Sequence, residues 1–197
     1  MATSTSLIYD FDPNKLPDDL LRAVGLMVTA ASQTESIVQE FIGAILGIDQ
    51  AEVPALTAQK SAPLKGQVAR ALMELNASSA EMVDIVDELL EAIDAAMVKR
   101  NEVVHNTFAR HPETGDILSI REKARGSLQV TMTPVTAQEI MQGANAVYKA
   151  GMDFMQFMIF YKLRPSERTR PLLAPLDRGK KARKARRAFA YGAPSSD

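Results

Sequence analysis

Residues 78–108 of this chain read SSAEMVDIVDELLEAIDAAMVKRNEVVHNTF, an apolar helical pattern that leads into a cluster of polar side chains. Ser78 with Glu81 matches a capping box, in which side chains satisfy the free amides at a helix start. The apolar residues that follow recur every three or four positions, as on one helix face; they are Met82, Ile85, Val86, Leu89, Leu90, Ile93, Ala96 and Met97. The pattern predicts a long helix from Ser78 to a point near Phe108.

Three further segments have helical spacing. One runs from Asp18 or Asp19 to Gly47, one follows Pro63, and one starts at a Thr136 and Glu139 capping box and runs to Leu163. Residues 48–62 are expected to form a loop. Residues 116–122 and 127–133 alternate as strands around a turn at 123–126, which predicts a hairpin. The expected fold is an all-α bundle of four to five helices with a small β-hairpin insertion, at about residues 116–133, before the last helix.

The expected boundaries are an N-terminal extension at 1–16, a helical domain at 17–163 and a basic tail at 164–197. Prolines and the lack of an apolar period predict an extended or disordered tail. Residues 1–177 carry 16 Lys and Arg against 23 Asp and Glu, whereas residues 178–197 carry seven against one. The seven tail cations can bind RNA phosphates, hold an acidic partner or simply keep the chain end in solution; they are Arg178, Lys180, Lys181, Arg183, Lys184, Arg186 and Arg187.

Composition excludes several classes of protein. The chain has no cysteine, so disulfides and thiolate metal sites are excluded. The sequence contains no phosphate-binding glycine loop, no Gly-x-Ser-x-Gly and no zinc-ligand spacing, which argues against an ATPase, a serine hydrolase or a metalloenzyme. No secretory signal and no membrane-spanning run is found. We therefore expect a cytoplasmic protein without a metal site, a cofactor or a membrane contact.

Arg100, Asn101 and His105 are the strongest candidates for chemistry. Residues four apart share a helix face, so Asn101 and His105 should project together. Arg100 lies about 140° from His105 on an ideal helix, but its long side chain can wrap toward the same edge, especially if the helix bends there. An imidazole can transfer protons near neutral pH, and a guanidinium can hold a phosphate with two parallel hydrogen bonds. These groups suit metal-free attack of a ribose 2′-hydroxyl on its adjacent phosphate. The structural alternative is a helix-end cluster in which Arg100 caps carbonyls and His105 packs half-buried.

Other polar residues are open to two interpretations. Glu35 could pair with Arg100 or orient His105, or it could be an ordinary surface glutamate. His111, beside Pro112, is expected to be exposed and without a catalytic role. The last helix is rich in Met and Phe almost all round, so one side is expected to meet another protomer or to be covered by the hairpin.

The pattern Arg-Asn-x-x-x-His, preceded by a helix rich in Leu, Ile and Ala, resembles the signature of HEPN domains. In that family an arginine is separated from a histidine by four to six residues, and a polar residue often follows the arginine; Arg100, Asn101 and His105 match. The first helix, with Ala30 to Glu35 and an apolar stretch from Phe41, is similar to the opening helix of many bacterial members. The resemblance covers about residues 17–163.

The resemblance implies a helical bundle that dimerises and brings two Arg/His motifs together. Many members are metal-independent endoribonucleases of toxin–antitoxin or other defence systems, and they leave a 2′,3′-cyclic phosphate. By this resemblance His105 would be the general acid and base, Arg100 would stabilise the phosphate, and Asn101 would support them. One toxin subfamily has a tyrosine where this chain has Phe108, which argues against an antitoxin that modifies that tyrosine. Two alternatives stay open: a non-catalytic HEPN interaction module, and a nucleic-acid-binding regulator that acts through residues 178–187.

Overall fold

The computed structural model describes residues 9–58, 60–77, 79–123 and 129–165. These residues form a mostly helical fold with a small antiparallel sheet. The helices are α1 (Asp18–Leu46), α2 (Val53–Thr57), α3 (Ala62–Asn76), α4 (Ala80–His105) and α5 (Ala137–Phe160). The strands are β1 (Thr107–Arg110), β2 (Ile117–Lys123) and β3 (Gln129–Pro134), and a short 3-10 turn covers Pro13–Lys15. None of the helices in these ranges is both long enough and apolar enough to cross a membrane.

Local signals at helix ends are confirmed at α1 and α5. Gly47 ends α1 in the left-handed conformation, with φ 61°, which a residue with a Cβ adopts at a cost. At the start of α5 the Thr136 side chain accepts a hydrogen bond from the Glu139 amide, and the Glu139 carboxylate accepts one from the Thr136 amide. The hydrogen bonds from the Thr136 backbone and hydroxyl hold the pKa of Glu139 below its ordinary value, since they favour the ionised carboxylate.

Other predicted boundaries are wrong. The residue that caps α4 is Ser79, whose side chain accepts a hydrogen bond from the Met82 amide, and not Ser78. Helix α4 ends at His105, because the chain turns at Asn106 and continues as β1 through Phe108. The predicted loop at 48–62 contains α2, whose Val53 is buried against Gly43 of α1.

The core lies mainly between α1 and α5, with α4 and α3 packed against them. Helices α1 and α5 run in the same direction, because Thr34 contacts Gly151 and Val147 while Phe41, further along α1, contacts Phe154 further along α5. A Cβ at position 151 would overlap the Thr34 side chain, so this glycine permits the close approach of the two helices. The Thr34 hydroxyl donates to the Val147 carbonyl at 3.1 Å, which satisfies a buried polar group between the two helices.

The sheet extends the predicted hairpin by one strand. Strands β2 and β3 pair as expected, with Ser119 opposite Thr133. Strand β1 joins the other edge of β2 and was not predicted, which gives the order β1-β2-β3. Asp10 forms a bridge to Arg110 at the end of β1, so part of the segment assigned to an N-terminal extension contacts the sheet. Residues 124–126 of the turn predicted at 123–126, and residues 166–197 of the predicted tail, lie outside the described residues.

Candidate functional site at the end of α4

Arg100, Asn101 and His105 lie in the last two turns of α4, which is a continuous helix through His105. Val103, in the same turns, is buried and anchors this end of the helix to the core. Arg100 is half-buried, whereas Asn101 and His105 are exposed. Because the helix is continuous, Arg100 and His105 are separated by about 140° around its axis. Their backbone positions therefore lie on different sides of α4, but the hydrogen bond to Asn101 turns the Arg100 guanidinium toward the face that carries His105.

The Arg100 guanidinium has one hydrogen-bond acceptor among the described residues. Its Nη1 donates to Oδ1 of Asn101 at 3.0 Å. Its Nε is buried and has no acceptor, the one buried side-chain polar atom in that state within the described ranges. A buried donor without an acceptor costs about 1–3 kcal/mol. Arg100 would thus gain from an acceptor supplied by a ligand or by a second chain.

Asn101 therefore orients the arginine rather than the histidine. Within the described residues the His105 side chain has no hydrogen bond or ion pair, so its imidazole is open to solvent and to any ligand. The residue after it, Asn106, donates from Nδ2 to the Ser119 hydroxyl at 2.9 Å. This contact ties the end of α4 to β2 and fixes the position at which His105 is presented.

Glu35 does not take the supporting position proposed for it. Its carboxylate pairs with Lys65 of α3, with Oε2 3.1 Å from Nζ, and no hydrogen bond or ion pair in the described part of the chain connects it with Arg100 or His105. Lys65 is only 5% exposed, whereas the Glu35 side chain is partly open. A buried ammonium without a counter-charge is unfavourable, so this pair is best explained as a structural link between α1 and α3.

Replacing Glu35 by Leu should therefore lower the free energy of unfolding by about 1–3 kcal/mol, less than for a fully buried pair because Glu35 is partly exposed. Urea unfolding followed by circular dichroism measures the change. The double variant Glu35→Leu with Lys65→Met removes both charges and should recover most of the loss. A loss in the double variant as large as in the single one would show that the charge pair is not its cause.

His111 is half-buried and holds a turn, which corrects the expectation of an exposed side chain. Its Nδ1 accepts from the amides of Glu113 at 3.3 Å and Thr114 at 3.2 Å. Its ring meets the Tyr9 ring edge to face, with centroids 5.8 Å apart. These contacts explain the position of the His111 side chain without a catalytic role.

The structure also contains a polar cleft that no sequence motif indicated. It has a volume of about 330 Å³ and lies between the last turns of α4 and the face of β2 and β3. Lys99 and Asn106 line it from the helix, and Arg121 and Thr131 line it from the sheet. The sequence signal was weak, because these residues are ordinary polar residues on a helix end and two strands.

A second, apolar groove of about 560 Å³ lies between α1 and α5. Ile37 of α1 and Tyr148, Met152 and Met155 of α5 line it, and Tyr148 is half exposed. The Met-rich last helix thus leaves apolar surface uncovered by the described residues. The described residues that line this groove come from α1 and α5, so the described parts of β2 and β3 do not cover it.

Two further expectations concern metal ligands and the cations of the tail. Among the described residues, no three His, Asp or Glu side chains are grouped as a metal ion would need. The predicted nucleic-acid-binding cations from Arg178 to Arg187 lie outside the described residues. Comparisons of the chain with protein-family models, with curated proteins and with solved structures give no match.

Proposed function

We propose that this chain is a HEPN-type endoribonuclease that cleaves RNA without a metal ion or cofactor. The observation that carries the proposal is the end of α4: within the described residues, a guanidinium oriented by Asn101 keeps a buried Nε without an acceptor, and five residues later the His105 imidazole has no hydrogen-bond partner. A phosphate oxygen is the acceptor that a guanidinium binds most readily. The proposal includes action in the cytoplasm as a toxin or defence component, with an antitoxin as a possible protein partner.

The chemistry follows from these two side chains. His105 takes the proton of a ribose 2′-hydroxyl as the oxygen attacks the adjacent phosphorus. The bond between phosphorus and the 5′-oxygen breaks, and that oxygen receives a proton from an imidazolium. The products are a 2′,3′-cyclic phosphate and a 5′-hydroxyl. Arg100 stabilises the negative charge that builds on the phosphate oxygens in the transition state.

A homodimer supports this chemistry better than one chain. One copy supplies a single imidazole and a guanidinium whose Nε has no acceptor among the described residues, so the groups from two copies can complete a site that one copy leaves open. Two histidines would also supply the base and the acid at once. The apolar groove between α1 and α5 and the exposed Ile159 and Phe160 provide surface that a second copy can cover.

The test is cleavage of a labelled single-stranded RNA by the purified full-length chain in excess EDTA. We expect cleavage products that end in a 2′,3′-cyclic phosphate and no cleavage of the same sequence made with 2′-deoxyribose, because the attacking hydroxyl is then missing. Cleavage that stops in EDTA, or cleavage of the deoxy strand, would contradict the mechanism. If no RNA is cleaved while the chain dimerises, the non-catalytic interaction module replaces the proposal.

A further inference from the structure

The polar cleft beside α4 combines cations with hydroxyl groups on one face of the sheet. Residues directly opposite in an antiparallel pair project to the same face. Ser119 pairs with Thr133 and Arg121 pairs with Thr131, so three hydroxyls and one guanidinium form two adjacent rows. All four residues line the cleft. The sheet therefore presents hydrogen-bond donors in a regular array toward the end of α4.

The charge of the cleft favours an anion. Among the described residues that line it, Lys99 and Arg121 are the cations and Glu102 is the one carboxylate. Lys99 lies 3.6 Å from Glu102, which offsets one positive charge. Arg121 is exposed and has no ion pair or side-chain hydrogen bond among the described residues. An uncompensated guanidinium beside hydroxyl donors is suited to a phosphate group.

The helix residues that line the cleft come from the same turns of α4 as the Arg100 and His105 motif. Lys99 directly precedes Arg100, and Asn106 directly follows His105, so two cleft residues flank the motif along the chain. The Asn106 bond to Ser119 holds the sheet against the helix at this point. The cleft volume of about 330 Å³ falls at the lower end of the roughly 300–1,000 Å³ of pockets that hold small ligands, which suits one nucleotide rather than a folded partner.

We infer that this cleft is an RNA-binding subsite, which holds a phosphate and the neighbouring ribose of a single-stranded RNA next to the bond that His105 and Arg100 cleave. Arg121 binds the phosphate, and the hydroxyls of Thr131 and Thr133 exchange hydrogen bonds with the ribose. This inference rests on the proposed function. It deepens that function, because it names how the substrate strand is positioned.

The test measures binding in a chain that cannot cleave. A fluorescent single-stranded RNA of 12 nucleotides is titrated with the full-length His105→Ala chain in EDTA, and fluorescence anisotropy gives Kd at several salt concentrations. Adding Arg121→Gln should weaken binding about five- to tenfold and lower the salt slope by about 0.7, the loss of one phosphate contact. The matched control is Arg164→Gln, which removes the same charge from a residue just after α5. The next residue, Pro165, lies beside Gly43 near the C-terminal end of α1. The control should leave Kd within about twofold.

A second variant tests the ribose contact without a change in charge. Thr131→Val with Thr133→Val should weaken RNA binding about threefold or more and should weaken binding of the matching DNA less, because DNA lacks the 2′-hydroxyl. Circular dichroism of each variant checks that the exposed substitutions leave the fold intact.

The outcomes distinguish a failure of the RNA-binding subsite from a failure of the proposed endoribonuclease function. An unchanged Kd for Arg121→Gln, or an equal loss for Arg164→Gln, would overturn the subsite even if the wild-type chain cleaves RNA. Weaker RNA binding by Arg121→Gln would support the subsite even if no cleavage is found. Tighter binding of an acidic peptide than of RNA, with the same dependence on Arg121, would assign the cleft to a protein partner instead.

Discussion

His105→Ala should cleave RNA at least about 100-fold more slowly than the wild-type chain, because a positioned proton-transfer group contributes about 10²–10⁴ to a rate. The fold should be unaffected, since His105 is exposed at the end of α4 and its side chain has no hydrogen bond or ion pair within the described residues. Initial rates on labelled RNA in EDTA measure the first effect, and a thermal melt measures the second.

The matched control for this variant is His111→Ala, which removes the other histidine of the chain. The His111 side chain is held by the amides of Glu113 and Thr114 and by the Tyr9 ring, and no hydrogen bond or ring contact within the described residues joins it to α4. We expect normal cleavage and a small loss of stability from that variant. Equal cleavage by His105→Ala and the wild type would remove His105 from the mechanism.

Phe154→Ala should lower the free energy of unfolding by about 3–5 kcal/mol. This is a large part of the total free energy of unfolding of a typical domain, which is roughly 5–15 kcal/mol. Phe154 is fully buried, and its ring meets Phe41 edge to face with centroids 5.0 Å apart and also contacts Phe157. The substitution leaves a cavity between α1 and α5, and neither helix can close it easily because Gly151 and Thr34 already hold them in contact. Urea unfolding measures the shift.

The control substitution is Phe160→Ala, which removes the same side chain from the same helix at a position that is 78% exposed. Its ring contacts only Tyr161 among the aromatic residues described. We expect a change within about 0.5 kcal/mol for the isolated chain. If both variants lose the same free energy of unfolding, packing between α1 and α5 is not the main source of the stability that Phe154 contributes. A loss in Phe160→Ala that grows with protein concentration would instead place Phe160 in a dimer interface.

Elements with local signals could be predicted from the sequence. Helix α5 starts where Thr136 and Glu139 cap each other, and α1 ends where Gly47 adopts a left-handed conformation. These interactions connect residues within about four positions, so the sequence contains both partners side by side. The hairpin of β2 and β3 follows from alternation on both sides of a short turn.

Short elements could not be predicted, because their stability comes from distant partners. Strand β1 has four residues and exists because β2 supplies its hydrogen bonds. Helix α2 has five residues and is held by Val53, which packs into the space left by Gly43. Neither segment is long enough to show a period that identifies it. The one-residue error at the start of α4 has a similar origin, since Ser78 and Ser79 are both suitable caps.

Apolar spacing and motif spacing are local properties of the chain, so they were enough to place Arg100, Asn101 and His105 on the last turns of one amphipathic helix. Tertiary structure decided which group each polar side chain meets. Glu35 pairs with Lys65 of another helix, Asn106 donates to Ser119 of β2, and Arg121 of β2 lines one cleft together with Asn106 and with Lys99 of α4. The physical reason is that partners far apart in the chain are brought together by core packing, and a buried charge or donor then binds the nearest complementary group that packing allows.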